Sequence, residues 1–411
     1  MSSLPPPRSS EPEVTAPIAD SYGQLFLRFL RFGALAWGGP VAQIDMIRQE
    51  LVNEQKWVTP DHFKRLLAIY QVLPGPEAHE LCVHFGILAR GRWGGILAGL
   101  GFMLPGFLLI FLLSWMYLTL GLGQTSFQAV FLGIQPAVIA LIVRACHRLG
   151  THCLTDTPLW VIGVLAALGD ALGISFYITL LLGGLAYLAA SRRRWAVASA
   201  LAAIFVLAAW FTPPALRVPP AAGQVETVSR EGTHRAGQAS PVQLFGSGLR
   251  TGLLTFGGAY TAIPFLRNDA VEKGRWMTER DFLDGIALTG ILPAPLIIFS
   301  TFVGYFGGGA VGAIVMTVGV FLPAFGFSLL FYRRLESVVS VSWLRPFLEG
   351  VTAGVVGLIA ATTIKLALPA IPNLPAFLIF AGALGALHTW KSKLATPAII
   401  LSAGVIGWLL R

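Results

Sequence analysis

Long apolar runs separated by short polar turns set the rhythm of this chain. Such runs occupy 94–117, 126–145, 158–189, 195–211, 245–264, 309–331, 346–366, 370–388 and 395–410. Each approaches the roughly 20 residues a helix needs to cross about 30 Å of hydrocarbon, and 158–189 is long enough for two spans joined by a tight turn. Shorter apolar segments at 22–38, 64–90 and 283–308 bring the expectation to about 10 to 13 membrane segments. The predicted fold class is therefore an all-α polytopic membrane protein.

Two stretches break the rhythm. Residues 1–20, "MSSLPPPRSSEPEVTAPIAD", are polar and proline-rich without an apolar core, which reads as a disordered cytoplasmic tail and not as a cleaved signal peptide. Residues 212–243 are rich in Pro, Ala and Gly and read as a polar linker. The expected organisation is a first membrane repeat over 21–211 and a second over 244–411.

Composition and charge narrow the function. The 411 residues are 55% hydrophobic and 12% charged, too apolar for a soluble domain of this length. The net charge of +9 sits in short loops such as "SRRRW" (191–195) and "YRRLE" (332–336). That pattern orients a membrane protein and does not build a nucleic-acid surface. Cys82, Cys146 and Cys153 form neither a disulfide framework nor a zinc pattern. No dinucleotide fingerprint or haem motif is present, so neither a cofactor, a metal nor an enzyme activity is expected.

The two halves repeat one another. Adding 219 carries Gly33 to Gly252, Ile44 to Ile263, Arg48 to Arg267, Trp57 to Trp276, Thr59 to Thr278 and Phe63 to Phe282. Residues 33–76 and 252–295 share 14 identities in 44 ungapped positions, which marks an internal duplication. The register then slips by one, so that Gly86 meets Gly304 and Pro105 meets Pro323. Loops 45–65 and 264–284 each carry four Lys or Arg, so charge does not fix the relative orientation of the halves. Inverted repeats are expected by analogy with other transporters, which bind substrate between their repeats near the midplane.

Within each repeat one cassette carries the candidate chemistry. It opens on Gly38-Gly39 and Gly257-Gly258, suited either to a tight turn or to close approach of a ligand. An amphipathic stretch follows with Arg48 and Arg267, either snorkelling cations paired to a carboxylate such as Asp45 or Glu272, or anion contacts. Trp57 and Trp276 read as interfacial anchors. Then come Pro74-Gly75-Pro76 and Pro293-Ala294-Pro295. Proline inside an apolar segment is tolerated where a broken or re-entrant helix lines a protein cavity. Each break leaves a half-helix N-terminus, which favours anions; a purely structural kink is the alternative. Glu77, His79, Glu80 and His84 follow the first break. "HELCVH" has one residue too many for the zinc-binding "HExxH" pattern, leaving proton coupling as their candidate role. The second half has Leu296 and Ile298 at the positions of Glu77 and His79, so that role would be asymmetric. Gln135-Pro136 is either a further break or a packing feature, and Asp170 is expected in a surface turn.

At "WGGPVAQIDMIRQELV", "KWVTPDHF", "QVLPGPEAHELCVHFG", "GGILAGLGFMLPGF", "FGGAYTAIPFL" and "GRWMTERDFLDGIALTGILPAPLI", the chain resembles a two-domain member of the chromate ion transporter family. The match covers roughly 24–150 and 244–366. The resemblance implies export of chromate across a prokaryotic inner membrane, driven by the proton-motive force, with chromate resistance as the outcome and sulfate as a competing mimic. A transporter or channel for sulfate or another anion is the alternative, and a homodimer is a compatible assembly. The family's second Pro-Gly-Pro is Pro-Ala-Pro here, and the added methyl of Ala294 is expected to narrow the pocket.

Overall fold

A computed structural model describes residues 21–71, 73–121, 127–211, 239–332, 342–390 and 392–410. The tail over 1–20 and the linker over 212–238 lie outside the described residues. The secondary structure of the described residues is helical, with α1 (Tyr22–Ala34), α2 (Gly39–Ile47), α3 (Pro60–Tyr70), α4 (Glu77–Thr119), α5 (Gln128–Cys153), α6 (Thr157–Ala171), α7 (Phe176–Ser191) and α8 (Trp195–Phe211) in the first half. The second half holds α9 (Pro241–Leu254), α10 (Ala262–Arg267), α11 (Glu279–Gly290), α12 (Phe299–Phe331), α13 (Leu344–Ala370), α14 (Leu374–Thr389) and α15 (Ala395–Leu409). Among the described residues four segments, 77–119, 128–153, 296–331 and 344–370, are long and apolar enough to cross a membrane. Exposed Trp160, Leu168, Leu181, Leu378 and Val405 present apolar surface suited to lipid.

The segments predicted near 64–90 and 283–308 are re-entrant hairpins. Thr59 caps α3 and Thr278 caps α11, each side chain accepting a backbone N–H three residues on. That local chemistry explains why the threonine recurs. The chain runs inward, turns at Pro-x-Pro, and returns along the first arm of α4 or of α12. Phe63 stacks on Phe85 in the first hairpin and Phe282 meets Phe299 in the second, which holds the arms together. Each return arm then reverses at a left-handed glycine, Gly91 or Gly309. A Cβ on Gly86 would stand 2.4 Å from the Gly94 carbonyl oxygen, and one on Gly304 would stand 2.5 Å from that of Gly312. No larger residue permits so tight a reversal.

The crossing arms fix the relation of the halves. The arm over 92–119 spans roughly 42 Å at 1.5 Å per residue. It starts at the outer end of the first hairpin and ends with Tyr117 against Phe302 and Phe306, at the outer end of the second. The two hairpins therefore open to opposite faces, and the repeats are inverted. Ion pairs repeat with the fold: Arg31 pairs with Glu50, and 219 residues later Arg250 pairs with Asp269.

Trp57 departs from its expected place at an interface. It is buried, packs on Phe85 and donates its indole N–H to Gln55. Trp276 lies against Gly307 of the second return arm. Both indoles brace hairpins, because the left-handed residues Lys56 and Arg275 turn the chain inward just before them.

Candidate functional site

Each Pro-x-Pro tip packs against the crossing arm of the other half. Gly75 donates its N–H to the Thr255 carbonyl at 2.8 Å, joining the first tip to the strand of chain that leads into Gly257-Gly258. A Cβ on Gly75 would stand 3.2 Å from the Ala324 Cβ, and one on Gly106 would stand 2.6 Å from the Ala294 Cβ. Ala324 and Gly106 follow Pro323 and Pro105, themselves equivalent in the repeat. The two contacts are therefore the same contact with its partners exchanged, each made of one glycine and one alanine. The methyl of Ala294 fills a notch left by Gly106.

The Gly-Gly pairs form the other two turns. Gly38, Gly39, Gly257 and Gly258 all hold positive φ, which side chains with a Cβ rarely adopt. Gly38 approaches the Lys393 backbone, while Gly257 lies beside Leu149 and Cys153 of α5 and Thr352 of α13. The turn reading of these glycines thus stands, and the Gly75–Thr255 hydrogen bond brings the second pair toward the first tip.

Charges around the first tip come from α5. Arg148 lies within electrostatic reach of Glu77, and Arg144 and Arg148 both reach Tyr260, next to Gly257-Gly258. Arg148 is exposed and Arg144 half-buried, so these cations face an accessible space beside the tip. The apolar run over 126–145 masked them: they read as the polar end of a span.

The two arginines selected from the sequence lie elsewhere. Arg267 is buried and held by Glu272 and Glu279, its Nε donating to Glu279 at 3.0 Å, so the paired-cation alternative describes its geometry. Lys365 extends this network, 2.8 Å from Asp170 and 3.5 Å from Glu272. Arg48 is exposed, about 15 Å along the helix from the Gly38-Gly39 turn by helical rise. Neither reaches a tip.

The acids and histidines divide by environment. Glu80 is fully buried, its carboxyl group against Gly75, and neither oxygen has a hydrogen-bond partner among the described residues. His84 is buried with its Nδ1 2.9 Å from the Tyr70 hydroxyl. His79 is enclosed by Phe102, Phe321 and Phe325. In the second half a different cluster is buried: Asp284 accepts from Tyr117 at 2.8 Å and from Gln135 at 2.8 Å, across the halves. Gln135 is therefore a packing residue with a partner. Asp284 lacked a signal because it reads as one of several charges on an amphipathic helix. No group of three or more His, Cys, Asp or Glu suited to a metal occurs among the described residues.

Comparison with known proteins agrees with this architecture. The sequence profile of the family described as "Chromate transporter" matches residues 23–227 and 242–408, one match per half. A chromate transport protein of Pseudomonas aeruginosa is 58% identical over 396 residues, covering 95% of this chain and 92% of that protein. One from Cupriavidus metallidurans is 30% identical over 397 residues, covering 93% and 92%. An uncharacterized transporter of Bacillus subtilis, YwrB, is 30% identical over 148 residues, which is 35% of this chain but 72% of that protein, about one repeat. No solved structure matches the chain significantly. A duplicated, multi-pass membrane chain that matches the family over both of its repeats is a member of it: this chain belongs to the chromate transporter family.

Proposed function

We propose that the chain exports chromate from the cytoplasm across a prokaryotic inner membrane, driven by the proton-motive force, and thereby confers chromate resistance. The observation that carries this reading is the seating of each Pro-x-Pro tip on the crossing arm of the opposite half. Inverted repeats that pack tip against crossing arm suit a site reached alternately from either face. Chromate is a tetrahedral dianion, and so is sulfate, which we take to compete for the same site.

The anion sits in this reading beside Pro74-Gly75-Pro76, Pro293-Ala294-Pro295 and the Gly-Gly turns, where half-helix N-termini supply partial positive charge. Arg148 and Arg144 supply full charges and charge-assisted hydrogen bonds. Arg48, exposed at the face where the first hairpin opens, draws anions toward the cavity, and Arg267 keeps the opposite hairpin in place. Arg90, Arg92 and Arg192–Arg194 lie at turns on the first hairpin's side, whereas turns 172–175, 308–309 and 371–373 carry no Lys or Arg. By the positive-inside rule the first hairpin opens to the cytoplasm.

Labelled chromate uptake into energised everted vesicles tests the reading. Uptake abolished by an uncoupler and lowered by excess sulfate is expected. Folded protein that takes up no chromate contradicts it.

A further inference from the structure

The first hairpin carries a polar track that its twin lacks. Glu77, Glu80 and His84 fall at i, i+3 and i+7 on one face of the return arm. Tyr70 of α3 faces them, bonded to His84 and within electrostatic reach of Glu80. His62, half-exposed in the first turn of α3, is an electrostatic neighbour of His84. In the second hairpin the positions of Tyr70, Glu77 and Glu80 are Thr289, Leu296 and Phe299. The first hairpin thus carries proton-exchanging groups from its outer end to its tip, whereas those of the second, Asp281 at the position of His62 and Asp284, lie on α11 with Tyr117 and do not continue to the tip.

The elements packed against the buried part of this track present mostly apolar or uncharged groups. The crossing arm of α12 offers only the Ser328 hydroxyl beside Tyr70, with Phe321 and Phe325 against His79. The crossing arm of α4 offers Gly99 and Phe102, and the chain before Gly257 offers the Thr255 carbonyl. From α5, Arg148 reaches Glu77 alone. His79 stands apart from the track in its aromatic cage. A carboxylate with both oxygens buried and unpartnered is strongly disfavoured as an ion. Ionised, Glu77 and Glu80 would also occupy the positive helix end that a bound dianion needs.

We propose that α3 and the return arm form a proton relay, with His62, His84, Tyr70 and Glu80 joining the tip to the face where the first hairpin opens. A proton arriving at His62 passes to one imidazole nitrogen of His84. His84 Nδ1–H then donates to the Tyr70 oxygen as the Tyr70 hydroxyl proton moves to Glu80. Each relay group ends the passage with the protons it began with, Glu80 gains one, and the reverse sequence returns it. The relay thereby sets the charge at the tip and couples anion binding there to proton movement. It rests on the reading of the tips as an oxyanion site.

The test uses the purified full chain in proteoliposomes with an internal pH-sensitive dye, at alkaline pH where chromate is the dianion. Chromate–chromate exchange and chromate-linked proton movement are measured separately. In wild type both occur; in Glu80→Gln proton movement is lost. Tyr70→Phe slows proton movement, and His62→Ala slows it in a manner restored by added imidazole. Wild-type protein without exchange overturns the oxyanion reading and the relay with it. Exchange without linked proton movement in wild type, or unchanged proton movement in Glu80→Gln, overturns the relay alone. Should Glu80→Gln also lose exchange, the His62→Ala variant decides: imidazole rescue supports the relay, and unchanged proton movement without imidazole refutes it.

Discussion

Replacing Gly106 by alanine places a methyl group 2.6 Å from the Ala294 Cβ. Carbon atoms in contact prefer about 3.5–4.0 Å, so the second tip must move by roughly 1 Å or the crossing arm must bend. Overpacking of this kind costs about 1–3 kcal/mol. Ala294→Gly alone removes a buried methyl worth about 0.8 kcal/mol and adds backbone freedom at the tip. Because the two methyl groups compete for one notch, the double variant Gly106→Ala/Ala294→Gly exchanges the partners and is expected to recover most of the loss. Thermal stability of the purified protein, measured for wild type, both single variants and the double, closes the cycle. The expected coupling is about 1 kcal/mol or more, with chromate exchange restored in the double. Additive losses, with no recovery in the double variant, would refute the exchanged-contact reasoning.

The first tip behaves differently under the same change. Gly75→Ala meets Ala324 at 3.2 Å and also the Glu80 carboxyl at 2.9 Å, at a φ of +152°, so Ala324→Gly is expected to give little rescue of chromate exchange. Glu272 lies at the opposite face: burial opposes its ionisation, but Arg267 and Lys365 hold its carboxyl below the ordinary glutamate range. A lowered value means stabilisation that is complete above about pH 4.3 and lost as pH falls below it. Glu272→Gln should therefore melt lower than wild type at neutral pH, with the gap closing in acid; a gap independent of pH would show that the ion pair is not its source. Arg48→Ala should slow chromate uptake more at low than at high ionic strength, as expected for steering screened by salt, and an effect insensitive to salt would assign Arg48 a binding role instead.

The repeat, the breaks and the all-helical class were legible because they depend on local chemistry. Pro-x-Pro cannot continue a helix, Thr59 and Thr278 cap one, and Gly-Gly turns need positive φ. Inversion was not legible, because the loops that carry opposite faces hold equal charge. The cations of the tip were hidden for another reason. Arg144 and Arg148 acquire meaning only once α5 packs beside Gly257, a contact between halves more than a hundred residues apart. Arg267, by contrast, drew notice through repetition, and repetition here marks a structural ion pair as readily as a site. The Ala294 substitution was misleading in isolation, since its compensating partner, Gly106, lies in the other half of the chain.

In the proposed function an oxyanion sits beside the tips, held by the arginines of α5. Sulfate and chromate affinity of the purified, folded protein, measured by titration for wild type and Arg148→Ala, tests it most directly. A hydrogen bond to a charged group contributes about 1.5–3 kcal/mol, so the variant should bind roughly 10- to 100-fold more weakly. Wild-type affinity in Arg148→Ala would contradict the site.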